Sequence, residues 1–277
     1  MLPLRTEAVP SCVRCLLLTV LAIVVVSGSA VSAGVLEFYN GFDPSKPTVI
    51  AAHGLNGTIE FDDTFGRSPS YVDKANVVGW EWDADLTSQF IVRARESGQQ
   101  LAWEFAAFIA SDAPDYMMPI QLVGHSLGTH VVLSAASELR ELALIDSMIM
   151  MIQPAQVTLV DTGFNGTIQL EINDVLNNAL LPVKMDNYWS PRLAAGTGKT
   201  YAGELANARV PIDHLSIWRW YFASLDTPPL GIIKAGGQYS VVGQYSHLDF
   251  GSVAVEMIAG KGTPTNPGDD RFKLVSW

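Results

Sequence analysis

Between residues 118 and 142 an apolar run, MPIQLVG, breaks at Gly124-His125-Ser126-Leu127-Gly128 and resumes as THVVLSAASELREL. Apolar residues bounded by glycine read as a buried strand, and the small-residue stretch that follows reads as a helix able to approach a sheet closely. A strand that becomes a helix within five residues has little freedom. The turn is sharp, and a side chain at either glycine would collide with neighbouring backbone. The pattern is G-x-S-x-G. It presents the Ser126 hydroxyl at the edge of a sheet, beside the free N–H groups and positive dipole end of the new helix.

The chain supplies the sheet that such a turn requires. VLEFY (35–39), PTVIAAHG (47–54), NVVGWEW (76–82), VTLVDTG (157–163) and LPVKM (181–185) are strand-like runs ending in glycine or turn residues. From Asp85 to Ser111 the spacing of Phe90, Ala94, Leu101, Phe105 and Ile109 predicts a long helix. Strands alternating with helices imply an α/β fold, with a mostly parallel central sheet, helices on both faces and functional groups at the carboxyl ends of the strands. From about residue 226 the chain is richer in Gly, Pro, Tyr and Ser, and GGQYSVVGQYSHLDFG predicts a peripheral hairpin region ahead of a tail at GKGTPTNPGDD. No composition break marks a second domain.

Composition narrows the partners. A formal charge of −11 argues against nucleic acid or an anionic membrane surface, both of which select for Lys and Arg. Arg5 and Arg14 precede CLLLTVLAIVVVSGSAVSA, which ends in small residues with Val31 and Ala33 at the −3 and −1 positions of a cleavage site. Residues 1–33 therefore read as a signal peptide of a secreted or periplasmic chain; the alternative is an uncleaved membrane anchor from Cys15 to Leu36. Both cysteines, Cys12 and Cys15, lie in that segment, so cleavage leaves no disulfide and no thiol nucleophile.

A nucleophilic serine needs an oxyanion hole and a base. The turn HGLNG (53–57), after the first core strand, offers the backbone N–H of Leu55 to join that of Leu127. His53 itself fits a structural hydrogen-bonding role. Only His130, His214 and His247 follow Ser126, in the order Ser, Asp or Glu, His that such a turn demands. His130 is four residues along the same helix and is directed away from the hydroxyl. His214, in PIDHLSIWRWYFASL, is the leading base and His247, in QYSHLDFG, the alternate. Asp161 and Asp186 each close a strand-like run, and position alone does not separate them.

These segments resemble the pancreatic-lipase-like branch of the α/β-hydrolases, from about residue 46 to 224. TVIAAHGLNG is similar to that family's oxyanion turn, ANVVGWEWDA to its next strand, IQLVGHSLGTHVV to its nucleophile elbow, VTLVDTG to its acid-bearing strand and DHLSIWRWY to its histidine segment. The resemblance implies a single α/β-hydrolase domain over 34–277 and a serine hydrolase of carboxylic esters, of lipid type, needing no cofactor. It implies Ser126 as nucleophile, Asp161 rather than Asp186 as acid and His214 as base, because this branch takes its acid from the strand after the nucleophile's. The loop SPRLAAGTGKTYAGELANARV (190–210) falls where the family carries a lid. The chain departs from the family in lacking a lid disulfide, in the added apolar piece LALIDSMIMMI, and in having no room for the family's C-terminal β-sandwich. Substrates expected are small-molecule or lipid esters, with transient contact at a lipid interface. An amidase or peptidase on the same residues, or an inactive exported binding protein, are the competing readings.

Other signals carry less. AAGTGKT (194–200) would need glycine where Leu193 stands to make a phosphate loop. The five histidines match no metal-ligand spacing. Asn56-Gly57-Thr58 and Asn165-Gly166-Thr167 fit the glycosylation pattern. MIMMI (148–152) reads as core before it reads as an acyl-binding surface, and Trp218, Trp220, Tyr221 and Phe222 as helix packing before a substrate wall.

Overall fold

The computed structural model describes residues 34–55, 57, 75–84, 89–146, 149–162, 168–181, 183–189, 205–209, 214, 217, 218 and 221, together with four later strands, β8 to β11 below, described by backbone alone. The chain divides into residues 1–33, which lie outside that set, and a unit from Gly34 to Trp277. The expectations of a signal peptide or anchor, and of His247 as a base, fall on residues outside the description.

Seven strands form the main sheet: β1 (Val35–Phe38), β2 (Thr48–Ala52), β3 (Asn76–Glu81), β4 (Ile120–His125), β5 (Pro154–Val160), β6 (Lys184–Trp189) and β7 (Leu205–Arg209), in the spatial order β1-β3-β2-β4-β5-β6-β7. All neighbours are parallel except β1, which runs antiparallel to β3. Among the described residues, the helices with defined bounds are α1 (Phe90–Asp112), α2 (Gly128–Ile145) and α3 (Ile168–Asn178), with a 3₁₀ turn at Ile149–Ile152. This is the α/β-hydrolase fold, with strand, serine turn and helix at its centre. Two antiparallel ladders follow, β8 (Gly231–Ala235) with β9 (Gln238–Val242) and β10 (Ala254–Ala259) with β11 (Arg271–Val275).

Period-two alternation divides the sheet between two cores. Ile50, Val78, Trp80, Ile120, Leu122, Val157, Leu159 and Met185 join one apolar cluster with Ala94, Leu101 and Phe105 of α1, Val131, Leu133 and Leu139 of α2, and Ile172 of α3. Gln121, Thr158 and Asp186 alternate to the opposite face, where Gln121 Nε2 donates to Tyr221 Oη at 3.1 Å and Tyr188 packs on the Tyr221 ring. Tyr221 is buried against this face, and Ile217 and Trp218 are buried as well.

Several expectations need correction. β1 is an edge strand rather than a buried one, with Val35 56% exposed, because it has a partner on one side only. β6 begins at Lys184 and runs on through the aromatic pair Tyr188-Trp189, so Asp186 is the third of its six residues and does not end it. The expected lid loop is cut short by β7, whose Leu205–Arg209 pairs with β6; residues 190–204 lie outside the description. Helix α3 was not anticipated, although Ile168, Ile172 and Val175, its buried positions, stand at i, i+4 and i+7. In MIMMI, Ile152 is buried in the α2-side cluster, as a core reading requires.

Candidate active site

The parallel register brings the carboxyl ends of β2, β4 and β5 to one edge, with Ala52 beside Gly124 and His125 beside Val160. Immediately beyond β4 the backbone turns through Ser126 at φ 53°, and beyond β5 through Asp161 at φ 48°. Left-handed backbone costs a non-glycine residue roughly 1–2 kcal/mol and is held only where surroundings dictate it. Here they do: Ser126 N–H donates to Val160 O at 3.0 Å, and Asp161 N–H to Tyr188 O at 2.6 Å.

The elbow glycines are there because the backbones touch. A Cβ on Gly124 would stand 2.5 Å from Gly128 O, and one on Gly128 would stand 2.2 Å from Ala52 O and 2.5 Å from His53 O. The 53–55 turn is packed against the serine itself, since a Cβ on Gly54 would meet Ser126 Cβ at 2.7 Å. Leu127 is fully buried at the start of α2, and among the described residues neither its N–H nor that of Leu55 is paired with a backbone carbonyl.

Three side chains meet at this edge. Ser126 Oγ–H donates to His214 Nε2 at 2.9 Å, and His214 Nδ1–H donates to Asp161 Oδ2 at 2.8 Å. Asp161 is wholly buried, whereas the His214 side chain keeps 20% of its surface exposed, open to a reactant and to water. A hydroxyl, an imidazole and a buried carboxylate in that order can pass a proton off the oxygen while the carboxylate fixes the ring tautomer.

The remaining candidates sit elsewhere. Asp186 lies on the second face of the sheet, its Oδ1 accepting from Thr158 Oγ1 at 2.7 Å and Gln156 Nε2 at 3.0 Å. Burial pushes its carboxyl up to about 7 against the lowering effect of those bonds. His130 Nδ1–H donates to Glu171 Oε2 at 2.8 Å, away from Ser126, and tethers α2 to α3. Burial drives Glu171 upward, but His130 and Arg95 outweigh it and hold the carboxylate below its ordinary range. His53 is buried, donates Nδ1–H to Gly54 O at 2.8 Å and stacks on Trp82, whose indole N–H in turn donates to His53 O at 3.1 Å. That is a brace for the turn carrying Leu55.

One residue at the edge went unmarked in the sequence. His125, the variable residue of the elbow, donates Nε2–H to the backbone carbonyl of His214 at 3.1 Å. Nothing in the motif distinguishes it, because the position accepts many side chains.

No family model and no curated protein matches the sequence. Solved structures to which the chain is similar include a lipase-esterase related protein from Clostridium acetobutylicum ATCC 824, at 12% identity over 67% of this chain and 94% of that one, with a TM-score of 0.40. The type II thioesterase BorB from the borrelidin biosynthetic cluster is 14% identical over 65% of this chain and 88% of that one, with a TM-score of 0.41. The enol-lactonase from Burkholderia xenovorans LB400 is 8% identical over 68% of this chain and 92% of that one, with a TM-score of 0.40. One fold hosts many chemistries, so activity has to be argued from the side chains.

Proposed function

We propose that this chain is a secreted serine hydrolase that cleaves carboxylic esters through an acyl-enzyme on Ser126. The observation that carries the reading is the His214 imidazole, 2.9 Å from Ser126 Oγ on one side and 2.8 Å from Asp161 Oδ2 on the other. Ser126 Oγ attacks the ester carbonyl carbon as its proton passes to His214 Nε2, and Asp161 stabilises the imidazolium that forms. The N–H groups of Leu55 and Leu127 receive the developing oxyanion, a contribution worth about 3–4 kcal/mol per donor in comparable sites. Collapse breaks the bond to the alcohol oxygen, which takes the proton from His214. Water then attacks the acyl-enzyme by the same route. No cofactor enters these steps.

Lipid-type esters are the substrate class we favour. The support is the resemblance to the pancreatic-lipase-like branch, together with an acid borne on the strand that follows the nucleophile's. Export rests on the apolar stretch after Arg14 and the small residues up to Ala33.

Hydrolysis of p-nitrophenyl esters of increasing acyl length, by the chain from residue 34 and by its Ser126→Ala variant, tests the reading. Activity lost with Ser126 supports it, and a preference for long chains supports lipid substrates. A folded wild-type protein that neither hydrolyses any ester nor reacts with a fluorophosphonate would overturn it. Intact mass of the exported protein tests removal of residues 1–33.

A further inference from the structure

His125 is left over once Ser126, His214 and Asp161 are assigned, yet it is only 7% exposed and lies against the base. Its ring centroid is 5.0 Å from that of His214, with the planes 31° apart. Its partner at 3.1 Å is a carbonyl, which can only accept, so the proton of this ring is on Nε2. Burial first, and the neighbouring His214 second, hold its pKa down to about 3, so the ring is neutral at working pH. The titratable groups around it are His214, His53 across the end of β2, and Asp161 beyond His214.

We propose that His125 is a positioning residue for the base: its Nε2–H clamps the His214 backbone to the strand that carries the nucleophile. The inference rests on the acyl-transfer reading above. His125 is one residue from Ser126 and is locked into the sheet opposite Val160. A bond from this ring to His214 O therefore references the base to the same rigid turn that aims the hydroxyl. Asp161 controls the far side of the imidazole through Nδ1. The two contacts act on different parts of the residue, Asp161 on the ring and His125 on the main chain. Neutrality matters too, since a second cation 5.0 Å away would oppose the imidazolium formed during attack.

Three variants separate the donor from the ring. His125→Gln keeps an N–H that can reach the carbonyl, His125→Phe keeps an aromatic ring without a donor, and His125→Leu keeps neither. The expected result is a kcat about 10- to 100-fold lower for the Phe and Leu variants, the cost of a base displaced by an ångström, with KM changed little and with the Gln variant recovering most of the rate. The same ranking is expected in the rate of fluorophosphonate attachment to Ser126. In proton NMR, the downfield His214 Nδ1–H signal should persist in the wild type and Gln variant and exchange faster in the Phe and Leu variants. Full activity in the Phe variant, or equal losses in the Gln and Phe variants, would overturn the proposal. The NMR ranking is independent of turnover, so a wild type that shows it without hydrolysing any ester would refute the ester reading and leave the clamp standing.

Discussion

Ser126 and Asp161, at φ 53° and 48°, are the only non-glycine residues among those described with positive φ, and both stand at the candidate site. Alanine at position 126 removes the hydroxyl and leaves the strain, so Ser126→Ala should abolish turnover with little change in thermal midpoint. Glycine there removes both, and Ser126→Gly should raise the midpoint while turnover stays absent; retained turnover in either purified variant would remove Ser126 from the chemistry. Asparagine tolerates left-handed backbone, so Asp161→Asn should fold normally and lose on the order of 10⁴ in kcat through the wrong imidazole tautomer. Asp186→Asn should keep most of its rate, because Asp186 is engaged with Gln156 and Thr158 on the other face. The reverse ranking in an ester assay would reassign the acid. Ser126 was legible because its signal is local, five residues whose spacing forces a turn. Asp161 and Asp186 were not separable from spacing: what distinguishes them is where β6 stops, and the aromatic residues that extend it past Asp186 act through tertiary packing.

Helix α1 was legible from its apolar periodicity and α2 from the small residues that follow the serine turn, and the close packing between the two depends on such small residues. Gly98 of α1 faces α2 so closely that a Cβ would stand 2.3 Å from Val131 O and 2.7 Å from Ser134 Cβ. Its neighbour Ser97 accepts the Trp80 indole N–H at 2.8 Å, which ties the same turn of α1 to β3. Because the nearest atom belongs to backbone, the helices must move apart to admit a side chain. Gly98→Val should therefore cost about 1–3 kcal/mol in urea unfolding. Since α2 begins at the elbow, ester turnover should fall as well; unchanged stability would mean that the two helices slide freely. The element missed, α3, contributes three buried apolar side chains over three turns. Its neighbouring polar residues make so short a stripe look like a loop, and Glu171, which holds it to His130 and Arg95, announces itself only once the partners are in space.

At the scale of the molecule the sheet separates an apolar core from a buried but more polar one. On the second face Gln121 Nε2 donates to Thr158 Oγ1 at 2.9 Å and to Tyr221 Oη at 3.1 Å, and the Thr158 hydroxyl donates in turn to Asp186 Oδ1 at 2.7 Å. The chain of bonds runs from the middle of β6 to the segment that carries His214. Its carboxyl makes the fold sensitive to pH in a defined direction. Burial raises Asp186 to about 7 in the folded chain, against roughly 3.9 when unfolded. Below the lower value both states are protonated and nothing is lost. As pH rises between the two, the unfolded chain releases the proton while the folded chain keeps it, and stability falls, by an amount of order a few kcal/mol that is complete once pH passes the folded value. Asp186→Asn replaces the protonated acid by a neutral amide of the same shape and removes this term. In urea titrations the stability of the Asn variant relative to the wild type should therefore improve steadily from pH 4 to about pH 7 and level off above it, even if the amide packs slightly worse at the acid end. A difference that stays flat over that range would mean the carboxyl ionises in the folded chain as easily as in water, and that the network on the second face is open to solvent.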